Sequence, residues 1–230
     1  MPLDYVRLFD PNAMRREIAT MNRVIHVIDP QNAFCREYGS MARAFGVQEL
    51  GRIKECLFAL EALLSSHPRP EEFVLVRSEY QPGQFSAGDL ASPYAFACVP
   101  WHGHDCDWSL SDAAVAGKRV VTKFEESAAS SVAFMGMLEA LINDGLRQVL
   151  ITGFLTTSCV RKTALDLRAS LPESVEIRVL DGFAASRASN YVPDLSGSGR
   201  HAEALREMED AGIHFVGGWG DPGLANRRAG

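Results

Sequence analysis

Three residues with complementary chemistry, a cysteine, an aspartate and a lysine, each close a short apolar run of strand length. Val149 to Thr152 is apolar, Gly153 permits a sharp turn, and Thr156, Thr157 and Ser158 are types that cap helices, so Cys159 is delivered from a strand onto the start of a helix. A thiol in a first helical turn feels the positive end of the macrodipole and several unpaired backbone N–H groups, which favours its thiolate and could also hold an oxyanion. That placement makes a nucleophile. The competing reading is a buried structural cysteine, since free Cys is among the most buried residue types. Arg23 to Ile28 is a second apolar run, ending on Asp29 before Pro30, and Arg119 to Thr122 is a third, ending on Lys123. Asp29 is either a functional carboxylate or a turn former before proline, and Lys123 either a buried partner or a solvated strand end.

These residues need a scaffold that gathers strand ends. Strands are predicted at 24–28, 73–76, 119–122, 149–152, 175–180 and 214–216, and helices at 48–65, 130–144, 159–169 and 199–211. Strands that alternate with helices predict a three-layer α/β/α fold around a mostly parallel six-stranded sheet of Rossmann-like type. Ligands bind such sheets outside the carboxyl ends of the strands. If the strands run parallel, Asp29, Lys123 and Cys159 meet at that edge. Asp181 also follows an apolar run and reads as a residue that organises a loop.

In this order and at helix-sized intervals, Asp29-Pro-Gln-Asn-Ala-Phe34, Thr122-Lys123 and Gly153-Phe-Leu-Thr-Thr-Ser-Cys159-Val160-Arg161-Lys162-Thr163-Ala164 resemble the isochorismatase-like cysteine hydrolases, which include nicotinamidases and N-carbamoylsarcosine amidohydrolases. The resemblance runs from about Arg23 to about Gly217. It implies that Asp29 is the general base, that Lys123 holds aspartate and thiolate together, and that Cys159 attacks a carbonyl. It also implies an oxyanion hole built from the backbone amides of Leu155 and Cys159, with a non-proline cis peptide between Phe154 and Leu155. A free thiol has a pKa of about 8.5 and is only a few per cent thiolate at neutral pH, so an adjacent ammonium is expected to raise that fraction.

Many nicotinamidase-type members bind a divalent metal through an Asp-x-His stretch after the second strand and a later His before a Cys-Val pair. Here the corresponding stretch is Arg77-Ser78-Glu79-Tyr80-Gln81, and Ala97 precedes Cys98-Val99, so neither metal nor other cofactor is expected. The loop Trp101-His102-Gly103-His104-Asp105-Cys106-Asp107-Trp108 holds zinc-ligand types, but it reads first as a wall at the pocket mouth. Phe34, Gln31, Tyr80, Trp101, His102 and Phe154 are the candidate substrate contacts, with Arg77, Arg161 and Arg187 as candidate anion partners.

The chain of 230 residues, 47% hydrophobic and 23% charged, suits one soluble domain over 23–230 preceded by an N-terminal arm at 1–22, which lacks the apolar core of a signal peptide. Five cysteines at irregular spacing fit a reducing cytoplasm. A net charge of −6 gives no electrostatic reason to expect nucleic acid, and no segment suits a membrane span. The resemblance implies a homo-oligomer, dimer or tetramer, acting on a small molecule. The expected activity is cleavage of a carboxamide or ureido C–N bond through a Cys159 acyl-enzyme, with release of ammonia. Two alternatives stand beside it: a vinyl-ether hydrolase of isochorismatase type, which does not require the thiol, and an idle member used as a binding scaffold.

Overall fold

The computed structural model describes residues 23–193 and 197–216. The predicted arm at 1–22 and the end of the domain beyond 216 lie outside the described residues. Six strands, β1 (Arg23–Ile28), β2 (Phe73–Ser78), β3 (Arg119–Lys123), β4 (Gln148–Phe154), β5 (Glu176–Ala185) and β6 (His214–Val216), form one sheet in the order β3-β2-β1-β4-β5-β6. Every neighbouring pair is parallel. All residues of the two central strands, β1 and β4, are buried, as a strand covered on both faces requires.

Side-chain alternation divides the core into two layers. Ile25, Val27, Phe73, Leu75 and Leu150 face α1 (Gly51–Ser66), which buries Ile53, Leu57, Leu60 and Leu64 against them. Val24, Ile28, Val74, Val76 and Ile151 face the other way, toward α2 (Val132–Asn143), α3 (Arg161–Ser170) and α4 (Arg200–Asp210). Helices on both faces of a parallel sheet are the predicted three-layer architecture. His26 belongs to the second set, so its ring lies wholly buried beside Phe134, with centroids 4.7 Å apart.

The structure lengthens several predicted elements. The run predicted at 48–65 divides into a 3₁₀ turn at Val47–Leu50 and α1 proper. Strand β5 continues to Ala185, so Asp181 lies inside a strand, buried and 3.8 Å from His201, rather than in a loop. The register between β4 and β5 slips at Ile151/Gly153, which lets β5 run on past the bend at the end of β4.

Candidate active site

The site is built from the carboxyl ends of four adjacent strands. On β2, alternation puts Ser78 on the same face as Val74 and Val76, and on β3 it puts Lys123 with Val121. Ser78 and Lys123 are direct neighbours in the β2–β3 register. At the end of β1 the backbone turns sharply: Asp29 has φ +51°, and its N–H donates to the Val76 carbonyl at 2.8 Å. On β4, Gly153 pairs with Ile28 and has φ +105°; a Cβ there would stand 2.1 Å from the Ile28 carbonyl oxygen. Only glycine allows that approach, and it brings the exit of β4 close to that of β1.

After β4 the chain passes through a cis peptide between Phe154 and Leu155, as the resemblance implied, and enters one π-helical turn, Thr156–Val160, before α3 begins at Arg161. Cys159 therefore sits in a widened turn ahead of the α-helix rather than in the helix's own first turn. The residue before that turn, Leu155, gives no side-chain cap; its carbonyl accepts from the N–H groups of Ser158 and Val160 at 3.0 and 3.2 Å. Ser186, at the exit of β5, fixes it laterally by accepting from the Thr157 N–H at 2.9 Å and bonding the Thr157 hydroxyl at 3.0 Å.

The charged pair is completely buried. Lys123 Nζ lies 3.0 Å from Asp29 Oδ2 and donates to Ser78 Oγ at 2.7 Å, Tyr80 Oη at 2.8 Å and the Glu125 carbonyl at 3.0 Å. Those three acceptors use the three N–H bonds of an ammonium. Ser78 Oγ donates to Asp29 Oδ1 at 2.8 Å, whereas Oδ2 has the Lys123 charge beside it but no hydrogen-bond partner of its own. Tyr80 Oη lies 2.7 Å from Ser78 Oγ and 3.8 Å from Cys159 Sγ, so its single proton can serve either atom.

Burial dominates the electrostatics. It pushes the Asp29 carboxyl above the usual carboxylate range, and the pull of Lys123 and Ser78 only partly opposes it. Burial also opposes the Lys123 ammonium, but Asp29 and Cys159 hold its proton on. Desolvation pushes the Cys159 thiol up to about 12, with Lys123 and Tyr80 pulling it down and Asp29 adding to the rise. The expected enrichment of thiolate at rest is therefore not found. Taking the thiol out of water costs more than the nearby ammonium returns. Tyr80, also raised by burial, remains a proton donor.

Cys159 opens onto a cavity of about 570 Å³ that is also lined by Phe34, Tyr80, Leu155 and Arg187. The other expected contacts lie elsewhere. Gln31 is fully buried as a strut, its amide bridging the Ser78 N–H and C=O and the Cys106 carbonyl. Phe154 is core, because β4 is still a buried strand there. Trp101 is 98% exposed, and His102 is exposed and stacked on Phe96; neither lines the cavity. Their loop is instead anchored by its later residues, through Asn32, whose backbone N–H donates to Asp107 and whose side chain bonds His104 and Ser109. Its candidate metal ligands also diverge: Asp105 turns inward onto Ser40, while His104 pairs with Asp107 at the surface.

No family model matches the chain, and no curated protein matches it. Solved structures do. PnC1 from L. infantum in complex with nicotinate superposes with a TM-score of 0.62 at 20% identity, over 86% of this chain and 93% of that one. Pyrazinamidase of Pyrococcus horikoshii in complex with zinc gives 0.60 at 20%, over 85% and 98%. An isochorismatase-like hydrolase from Alkaliphilus metalliredigens gives 0.59 at 18%, over 85% and 94%. This is the isochorismatase-like fold.

The zinc in one of these isochorismatase-like neighbours raises the question of a metal here. In the stretches where the resemblance puts metal ligands this chain has Ser78, Tyr80 and Ala97. The Ser78 and Tyr80 oxygens already face the Lys123 ammonium, which a dication beside them would repel. Ala97 has no ligating atom, and among the described residues no group of three or more His, Cys, Asp or Glu side chains converges on a point. The residues do not fit a metal at this position of the isochorismatase-like fold. Sequence reading recognised Tyr80 only as a substrate contact and missed Ser78, although the alternation of β2 puts Ser78 on the face of Val74 and Val76.

Proposed function

We propose that this chain is a cysteine hydrolase of the isochorismatase-like family that cleaves the C–N bond of a small carboxamide or ureide and releases ammonia. One observation carries the reading: the buried Asp29–Lys123 pair, whose carboxylate oxygen Oδ2 meets only the Lys123 charge, lies in one hydrogen-bonded cluster with a cysteine that opens onto a substrate-sized cavity. The neighbours described as pyrazinamidase and nicotinamidase support the same class of reaction.

In this reading Cys159 rests as a thiol, and its proton passes to Asp29 Oδ2 as Sγ attacks the substrate carbonyl carbon. The transfer moves negative charge from the carboxylate to sulfur and, as the C–S bond forms, on to the carbonyl oxygen, so the net charge of the site does not change. Tyr80 then turns its O–H from Ser78 Oγ to Sγ. The N–H groups of Leu155 and Cys159 hold the developing oxyanion; the loss of one such donor typically costs about 2.7–4 kcal/mol. Protonated Asp29 gives its proton to the leaving nitrogen, the C–N bond breaks, and ammonia departs from a thioester. Water attacks the thioester with Asp29 again as base; the acid product leaves, a carboxylic acid from an amide or a carbamic acid from a ureide, and the free thiol is regenerated. A cytoplasmic homo-oligomer is part of the same proposal, supported by five unbonded cysteines and by apolar surface at Phe124 and Val132.

The test is ammonia release from a panel of small primary amides and ureido acids by wild type, Cys159→Ala and chelator-treated protein. Release should survive chelation and fall by roughly three orders of magnitude or more in Cys159→Ala, as loss of a covalent nucleophile does. Undiminished turnover in that variant would refute the thioester and favour the thiol-independent cleavage of a vinyl ether.

A further inference from the structure

Lys123 and Cys159 belong to strands that are not neighbours in the sheet. In the order β3-β2-β1-β4, two strands separate β3 from β4, so at roughly 4.8 Å per strand their axes stand about 14 Å apart. Strand pairing thus relates the ammonium to the thiol only through two intervening strands. The segment that leaves β3 makes a second, direct connection. Lys123 is followed by Phe124, Glu125 and Glu126, and the Glu125 carbonyl accepts from Lys123 Nζ at 3.0 Å. The next residue reaches across to the nucleophile's turn.

Glu126 Oε1 accepts from Ser158 Oγ at 2.6 Å, and Oε2 binds Lys162. Two residues on, the Ala128 N–H donates to Thr163 Oγ1 at 2.9 Å. All three partners lie within 158–163, the stretch that holds Cys159 and the start of α3, whereas Arg161 of the same stretch turns away to Glu207. Helix α3 has no acidic residue in its own first turn, so Glu126 supplies negative charge to that end from outside. Burial opposes the charge, but Lys162 and Ser158 hold the Glu126 carboxyl below the usual range. Glu126 and Ser158 both line the Cys159 cavity, half-buried, and the chemistry proposed above uses neither.

We propose that Glu126 is a positioning residue: by holding Ser158 it fixes the Cys159 turn against the segment that carries Lys123, and so sets how the thiol meets the Asp29–Lys123 pair. The inference rests on the cysteine-hydrolase reading for its turnover test but not for its alkylation test. Both tests compare wild type with Glu126→Ala, Glu126→Gln, Ser158→Ala and the double variant Glu126→Ala/Ser158→Ala. On an amide that wild type hydrolyses, Glu126→Ala and Ser158→Ala should each lower kcat about 10-fold, within the roughly 100-fold that a 1 Å misplacement can cost, and leave KM nearly unchanged. The double variant should be no slower than Glu126→Ala, because both substitutions remove the same bond. Glu126→Gln keeps an acceptor for Ser158 and should recover most of the rate. Iodoacetamide alkylation of Cys159 should slow in the same pattern, with its pH profile moved upward as the thiol loses its place beside the ammonium. Losses that multiply in the double variant would mean that the two residues act independently, which overturns the proposal. A raised KM with kcat intact would make Glu126 a substrate contact and overturn it too. If every variant turns amides over like wild type, positioning is refuted and the hydrolase stands. If no amide turns over but alkylation follows the expected pattern, the hydrolase reading fails and the positioning stands.

Discussion

Burial sets how Cys159 can be activated. A thiol whose pKa is pushed to about 12 has little thiolate at neutral pH, so in the proposed mechanism sulfur becomes a nucleophile only while Asp29 is taking its proton. Tyr80 should matter most at that moment, because its O–H lies 3.8 Å from Sγ. Tyr80→Phe keeps the ring packed edge-on against Phe85 and removes only the hydroxyl. The expected result is a fall in kcat of about 10- to 100-fold, the worth of a hydrogen bond to a charged atom. The pH profile of iodoacetamide alkylation at Cys159 should move to higher pH, and an unmoved profile would reduce Tyr80 to packing. Asp29, Lys123 and Cys159 were legible in sequence because each closes an apolar run, a pattern visible without any contact. The proposed hydroxyl switch was not legible, because it depends on which lone pairs Lys123 leaves open. Trp101 misled for a related reason: aromatic side chains beside histidines look like a pocket wall, but nothing in their spacing says which way the loop faces.

At the level of elements, the site depends on two close approaches between strand exits. Gly153 against Ile28 is the tighter. Gly153→Ala would drive a Cβ into the Ile28 carbonyl at a positive φ, so it should destabilise by about 3 kcal/mol or more, read as a lower urea midpoint at unchanged slope. A midpoint within error of wild type would mean that the strands can separate freely there. Period-two alternation and runs of strand length made all six strands readable, with ends displaced by a few residues. Their extensions were hidden for physical reasons. β4 runs on through Gly153 because pairing with β1 continues past the bend, and β5 reaches Ala185 because a register slip accommodates it. The π turn at Thr156–Val160 has no sequence signature distinct from that of an ordinary helix start.

Across the whole molecule, the buried ring of His26 makes stability respond to acid. Desolvation lowers its pKa from 6.5 to about 3, and among the described residues neither ring nitrogen has a hydrogen-bond partner. The unfolded chain therefore binds a proton that the folded chain refuses. The stability contribution is full above pH 6.5, declines as pH falls through the interval, and is lost below about 3, a total of about 5 kcal/mol. Urea unfolding at several pH values in wild type and His26→Leu should show a steep loss between pH 6.5 and 3 that the variant largely lacks. Equal slopes in the two proteins would show that the ring accepts its proton without unfolding.

The strand order has one more consequence. Lys123 is the last residue of β3, and β3 is an edge strand whose Arg119 and Val120 face solvent. Edge strands with few buried contacts open at lower free energy than the centre of a sheet. When β3 lifts away, Asp29 loses its counter-charge in an apolar surrounding, takes up a proton and can no longer act as the base of the proposed mechanism. Early loosening would thus silence the proposed chemistry while the remaining five strands still hold the shape.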